Sequence, residues 1–538
     1  MAAFVGEVEA GEGSMDAMTA TSGLEAGWQD RFRLRHFVEA LADAEELDRV
    51  HEPLDLIEVG RRLEGNPRAV LFDAVGPEHA QLAGNVMGSR ARLALALGVE
   101  PERLLSEMLG RCERPQPPVL APAGDAPVQE VVQLGDEVDL TTLPVHLQHE
   151  GDGGPYISAA IDVTRRREGE RRFNAGCRRL MLRGIRETGV DLNAPSDLRI
   201  AYQQAAARGE AVPVAFAIGS HPADFLGATM SGSGDELALL GGIRGAPVPL
   251  VPAVSQDLLV PADAELVLEG YFGPEGYVER EGPYGEYLGY DGGVKRNPVF
   301  HVTALTRRSD FLFQTVTISG RRLVRTDTAQ LGALATEVAV WRSLVLAIRE
   351  PVAVHASAAA GGMYNARIAL RQHAPGEARN AIAAAFSTKS NVKHVFVVDD
   401  DVDIFSDEQM DWALATRFQA DRDLVVGSGF RAVPLDPSLG GSPSGAKAGF
   451  DLTKPVAERD APRWQVSTAP LPDGDGPATG DVASALRDGP RTFRQLMTAR
   501  GSRDGRDVLR ELATARAEGR VELGDDGRYA LTEAGRQA

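Results

Sequence analysis

Arg280-Glu281-Gly282-Pro283-Tyr284-Gly285-Glu286-Tyr287-Leu288-Gly289-Tyr290 sets two carboxylates five residues apart in a segment built as a shaped loop. Pro283 fixes φ between the acids, and Gly282, Gly285 and Gly289 open backbone geometries closed to other residues. A solvated turn could carry glutamates at the same places. Here Tyr284, Tyr287 and Tyr290 interleave with them, the composition of a partly apolar pocket. In such a pocket a carboxyl holds its proton more tightly than in water, which is how a glutamate becomes a proton donor.

The loop lies in a region, residues 128–317, of short β-type runs punctuated by Gly and Pro, including 156–163, 212–218, 248–251, 264–268 and 299–305. Short strands at such spacing favour a sandwich or barrel over a doubly wound sheet. Upstream, Phe32, Leu34, Phe37, Val38 and Leu41 recur at helical spacing, followed by a second helical pattern at 54–63, strands at 70–72 and 81–86, and a helix at 91–97. This reads as a first α/β unit, closed by the proline-rich linker Pro115-Gln116-Pro117-Pro118. Downstream, a long helix at 329–348, an alternating run at 352–355, a helix around 365–386 and a strand at 394–398 read as a second α/β unit. Asp399, Asp400, Asp401 and Asp403 read as a solvated, helix-capping turn in preference to a metal cluster.

The fold expected is multidomain α+β: a leader over 1–28, an N-terminal α/β domain over 29–125, a β domain over 126–320 and a C-terminal α/β domain over 321–468. A Pro/Gly/Asp-rich linker spans 469–480. A small module over 481–538 orders three short helices before two strands, as a winged helix does. From Gly480 onward 11 arginines face 10 acidic residues, so the module lacks the basic face of a DNA reader.

At 538 residues the chain exceeds a single core, and its net charge of -20 repels nucleic acid and anionic membranes. Cys112 and Cys177 are too few for a disulfide framework or a cysteine metal cluster, which fits a reducing cytoplasm. The leader has no signal-peptide pattern, and no apolar run reaches transmembrane length.

Further stretches stand out in chain order: Asp139-Leu140-Thr141-Thr142-Leu143-Pro144, Gly151-Asp152-Gly153-Gly154-Pro155-Tyr156-Ile157, Arg171-Arg172-Phe173-Asn174-Ala175-Gly176-Cys177-Arg178-Arg179, Pro195-Ser196-Asp197, Asp235-Glu236, Val398-Asp399-Asp400 and Gly445-Ala446-Lys447. Together with the glutamate loop they make residues 31–458 resemble the UbiD family of prenylated-flavin-dependent decarboxylases.

That resemblance implies that the central domain is a split β-barrel that binds flavin and that the C-terminal α/β domain drives assembly into a homodimer or larger homo-oligomer. It implies a reversible, non-oxidative decarboxylase of an aromatic, heteroaromatic or α,β-unsaturated carboxylic acid. Loss of CO2 from an sp2 carbon leaves a carbanion that no side chain can absorb, so a cofactor must carry the charge. In the family this is prenylated FMN, made by a flavin prenyltransferase partner. Carried over residue by residue, Glu281, Arg179 and Glu286 form the Glu-Arg-Glu network: Arg179 orients the substrate carboxylate, Glu286 protonates the carbon and Glu281 tunes the arginine.

The resemblance further implies that Asn174, Gly176, Arg179, Ser196, Asp197, Glu236 and Lys447 bind the cofactor, Lys447 at its phosphate. Asn174, Asp197 and Glu236 map to a site for Mn2+ (or Mg2+), with K+ nearby. Asp197 departs from the histidine common in the family. Tyr287 and Leu331 map to the substrate pocket, where Tyr287 would stack on a flat acid. The alternative is a UbiD-like ligand sensor or regulator that uses the terminal module on DNA.

Overall fold

A computed structural model of the chain describes residues 24–122, 124–165, 172–230, 234–471 and 480–537. The chain divides into two compact units, Met1–Ala457 and Glu458–Ala538. In the first unit, Tyr156–Arg165 pairs with Phe173–Leu182, which pairs with Glu187–Val190. The ring continues through Val299–Arg307, Leu266–Phe272 and Val212–Ile218 back to Tyr156–Arg165, closing a six-stranded barrel. Closure removes the exposed edges of an open sheet.

Leu180, Phe216, Leu268 and Phe300 belong to one core cluster of this barrel. Ala159, Ile161 and Ala175, at the alternate positions, pack in a second cluster with the helices Pro222–Thr229 and Glu236–Arg244. Strands covered on both faces read as near-continuous apolar runs, and Tyr156–Arg165 is buried at every position but its last. Opposite Arg179 the register slips. Ile157 faces Leu180 and Ala160 faces Arg178, so Ser158 and Ala159 together oppose one residue. Such a bulge bends its strand and re-aims the side chains around it.

The N-terminal sheet comprises Leu47–Val50, Ala69–Val75, Ala80–Gly84 and Phe313–Thr315. The last strand, expected within the β domain, pairs in parallel with Ala80–Gly84 and joins the two layers. Residues 1–23 of the expected leader lie outside the described residues. Trp28, its last residue, is instead buried beside Val128, Val251 and Val260, because an indole this size removes much apolar surface from water.

The C-terminal sheet runs in the order Pro351–Ala356, Asn365–Leu370, His394–Asp399, Ser444–Asp451 and Leu424–Arg431. The helix expected around 365–386 proves to be a strand, Asn365–Leu370, followed by the helix Glu377–Phe386. Asn365–Leu370 pairs on both sides, and this tertiary pairing overrides the helix preference of its alanine and leucine residues. Asp400, Asp401 and Asp403 of the acidic turn are exposed, as expected, although Ser406 caps the helix that follows; Asp401 also meets Arg417 and Lys454, each at 2.8 Å, and buried Asp399 accepts the Lys454 N–H.

In the second unit the helices Val482–Ala485, Phe493–Arg500 and Arg506–Ala517 pack with the hairpin Val521–Leu523 and Tyr529–Leu531 around Leu496, Val508 and Leu512. Residues 472–479 of the expected linker lie outside the described residues. No helix among the described residues is long and apolar enough to cross a membrane.

Candidate active site

The glutamate loop leaves the short strand Glu279–Glu281, which pairs with Lys295–Asn297. Gly282 sits at φ +97, a left-handed geometry that glycine adopts freely, and precedes a cis bond to Pro283. Its carbonyl passes so near Gly153 that a Cβ there would meet the oxygen at 2.2 Å, while the Gly153 N–H donates to the Pro283 carbonyl at 2.7 Å. Asp152 accepts from the backbone N–H groups of His149 and Gly285, both at 2.9 Å. The Tyr284 hydroxyl donates to Gln148 Oε1, and Gln148 Nε2 donates in turn to Ser158 and Thr315. The Gly151–Tyr156 stretch and the barrel wall thus hold the loop in one shape.

Arg179 enters from the strand Phe173–Leu182 and lies over the fully buried Tyr284 ring, its guanidinium carbon 4.6 Å from the centroid. Nη1 reaches Glu286 Oε1 at 2.9 Å and Nε reaches Glu281 Oε1 at 3.4 Å. Nη2 contacts Asp191 Oδ2 at 3.1 Å. Burial alone would lower the Arg179 pKa, but the charges of Glu286, Glu281 and Asp191 outweigh it and leave the group raised. For Asp191, burial pushes upward, while Arg179 and Lys295 pull it down to about 2. Glu281 also accepts from Asn297 Nδ2 at 3.1 Å.

The three residues singled out from the sequence therefore meet, and two more join them. Asp191 and Lys295 carry no motif of their own. Lys295 was legible only through the strand pairing that sets it opposite Glu281. Tyr290, read as a wall of the pocket, is 61% exposed. Tyr287 is half-buried, and burial, then Glu286, raises its hydroxyl pKa. The Gly361–Gly362 turn wedges between the helix Asp327–Ala347 and the Tyr287 carbonyl, which a Cβ on Gly361 would meet at 2.7 Å. Leu331, buried on that helix, packs with the N-terminal core cluster.

A cavity of about 310 Å³ is lined by Tyr364, Lys393, Arg431, Asp436 and Lys447. Lys447 is buried on a strand, and its Nζ donates to the Phe386 carbonyl at 2.8 Å. Burial and the charge of Arg431 lower its pKa. Lys393 reaches Asp436 at 2.6 Å and Ser438 at 2.8 Å. Three cations against one carboxylate suit a phosphate.

Asn174 and Glu236 are close, since the Ala175 N–H donates to Glu236 Oε2 at 2.8 Å. Asp197 stands at a helix start. It opens the helix Asp197–Ala207, whose buried Leu198 and Tyr202 pack in the barrel cluster, and Ser196 caps that helix at the Arg199 N–H. The carboxylate on Asn174 is Asp162, at 2.5 Å from Nδ2, and Arg178 Nε holds Asp162 at 2.9 Å. A Cβ on Gly176 would meet both Asp162 and the Arg178 guanidinium. The Arg178 guanidinium thereby offsets the charge of the buried Asp162 carboxylate beside Asn174.

Three family models match in chain order: the N-terminal domain of 3-octaprenyl-4-hydroxybenzoate carboxy-lyase over residues 38–112, its Rift-related domain over 120–322 and its C-terminal domain over 329–452. The chain belongs to the UbiD family. Among UbiD relatives, it is 30% identical over 431 residues to anhydromevalonate phosphate decarboxylase of Methanosarcina mazei, covering 79% of this chain and 97% of that protein. The UbiD-class enzyme HmfF from Pelotomaculum thermopropionicum, solved with FMN, superposes with a TM-score of 0.76 at 32% identity, over 82% of this chain and 97% of HmfF. Apo 3,4-dihydroxybenzoic acid decarboxylase of Klebsiella pneumoniae superposes with a TM-score of 0.74 at 27% identity, over 82% and 98% of the two chains. This UbiD chain is accordingly a carboxy-lyase, with the closed barrel of its class.

Proposed function

We propose that the chain catalyses the reversible, non-oxidative decarboxylation of an aromatic, heteroaromatic or α,β-unsaturated carboxylic acid with prenylated FMN. The observation that carries this reading is the Arg179 guanidinium, 2.9 Å from Glu286 and 3.4 Å from Glu281 over the buried Tyr284 ring. When bound, the cofactor supplies the electron sink that no side chain offers. Lys447, Lys393 and Arg431 would hold its phosphate. Gly176, on the adjoining barrel strand, would allow the close approach that its missing Cβ permits.

Arg179 orients the substrate carboxylate with donors in a planar fork. Glu286, nearly excluded from water, delivers the proton to the carbon that loses CO2. Glu281 holds the arginine from its other side, and Tyr287 favours a flat substrate. Asn174, Asp197 and Glu236 would hold Mn2+ (or Mg2+), with K+ nearby, as hard-cation ligands beside the cofactor phosphate.

Chain produced with a flavin prenyltransferase should release CO2 from one or more of 3,4-dihydroxybenzoate, vanillate, anhydromevalonate phosphate or a wider panel of aromatic and unsaturated acids. Glu286→Gln should abolish release and leave flavin absorbance intact. Silence across the whole panel from cofactor-loaded protein would remove the reading. Unchanged turnover in Glu286→Gln would remove the assigned acid.

A further inference from the structure

Every turnover of such an enzyme spends one proton at Glu286, and that carboxyl is only 6% exposed, so its proton must be replaced by some route. Among the described residues, a partly exposed lysine stands beside it. Lys295 Nζ lies 3.4 Å from Glu286 Oε1 and 2.9 Å from Asp191 Oδ2, and its side chain is 27% exposed. Five charged groups meet here: Arg179 and Lys295 against Asp191, Glu281 and Glu286. Three acids against two cations leave one negative charge in excess, which a single mobile proton neutralises.

The strand pairing that sets Lys295 opposite Glu281 aims its side chain into this network. Asp191 is bound by both Arg179 and Lys295 and is held ionised, so it anchors the ammonium without competing for the proton. The fifth member, Glu281, is engaged by Arg179 and by Asn297 Nδ2.

We propose that Lys295 is the positioning residue through which Glu286 recovers its proton from solvent, a role that rests on the decarboxylase reading above. After Glu286 has given its proton to carbon, a Lys295 N–H bond breaks and that proton passes to Glu286 Oε1. The neutral amine then takes a proton from water at its exposed side. The cycle consumes the one solvent proton that replaces CO2 on the substrate, and no oxidant or reductant is required.

The test compares Lys295→Ala and Lys295→Arg in cofactor-loaded enzyme, using an acid that the wild type decarboxylates. Arginine keeps the charge but is not deprotonated in proteins, so it separates relay from electrostatics. Both variants should keep the first turnover, measured by rapid mixing, within about threefold, and lose about tenfold or more of steady-state turnover. Added methylammonium should restore Lys295→Ala, with a rate that rises with the free-amine buffer at fixed pH. Both cofactor-free variants should bind FMN and melt as the wild type does, a readout independent of catalysis. Wild-type turnover in Lys295→Arg, or equal loss of first and later turnovers without amine rescue, overturns the relay while leaving the decarboxylase reading standing. A wild type that decarboxylates nothing removes that reading and the relay together.

Discussion

Arg179 Nη1 and Glu286 Oε1 stand 2.9 Å apart across the mouth of the barrel, although 107 residues separate them in the chain. The guanidinium that approaches Glu286 with one nitrogen touches Glu281 and Asp191 with its other two. One planar group therefore fixes three carboxylates at once, and its own plane is set by the Tyr284 ring beneath it.

Lysine cannot reproduce this fork, because an ammonium is a point charge without a plane. Arg179→Lys should lower turnover by about 100-fold or more, comparable with removal of a preorganised donor at other active sites. FMN binding should be unchanged. Steady-state kinetics beside a fluorescence titration of FMN will show both.

Lys447 is buried with its ammonium at the edge of a cationic cavity. Replacing it by methionine keeps the bulk and removes the charge. A charge-assisted hydrogen bond to phosphate is worth about 1.5–3 kcal/mol, so Lys447→Met should weaken FMN binding about 10- to 100-fold. Riboflavin, which lacks the phosphate, should bind the variant and the wild type alike.

Gly153 is a second specific requirement. A Cβ there would meet the Gly282 carbonyl at 2.2 Å, and backbone gives way less readily than a flexible side-chain end. Gly153→Ala should destabilise the protein by at least about 2 kcal/mol and displace the glutamate loop. A denaturant midpoint and the turnover of the folded fraction will register the two effects separately.

Acid should unfold the protein through two buried histidines. Burial lowers His146 to about 4, and burial with the charge of Arg244 lowers His221 to about 3. Between these values and about 6.5 the unfolded chain binds protons that the folded one refuses, so stability is complete above about pH 6.5 and falls as pH decreases. At pH 5 the loss should be about 2 kcal/mol for each histidine. His221 Nδ1 accepts the Ala223 N–H at 3.1 Å, a bond that protonation breaks. His221→Asn retains an acceptor without the titration and should flatten the decline in melting temperature between pH 7.5 and pH 5.

Much of the fold was legible because its signals are local. The run 156–163 is apolar throughout since Tyr156–Arg165 is covered on both faces, and the expected strands at 212–218 and 299–305 lie within strands of the barrel. The stretch 365–370 misled because alanine, isoleucine and leucine suit a buried helix and a buried strand equally. Its two neighbouring strands, not its composition, made the choice. The acidic turn after 398 hid its ion pairs for a related reason. Its partners Arg417 and Lys454 are 16 and 53 residues from Asp401, outside any local pattern.

At the site, the sequence by itself determined the chemistry on offer: an arginine five residues after Asn174, two glutamates five residues apart, and a loop whose glycines and proline admit few shapes. Those features depend on neighbours along the chain, which covalent geometry fixes. Only the tertiary structure decided that Asp191 and Lys295 join the arginine, that Lys393 and Arg431 stand with Lys447, and that Asp162 rests on Asn174. Barrel closure sets the first and last of these meetings and the pairing of Leu424–Arg431 with Ser444–Asp451 the second, because strands distant in sequence become neighbours only through hydrogen-bond register and shared burial.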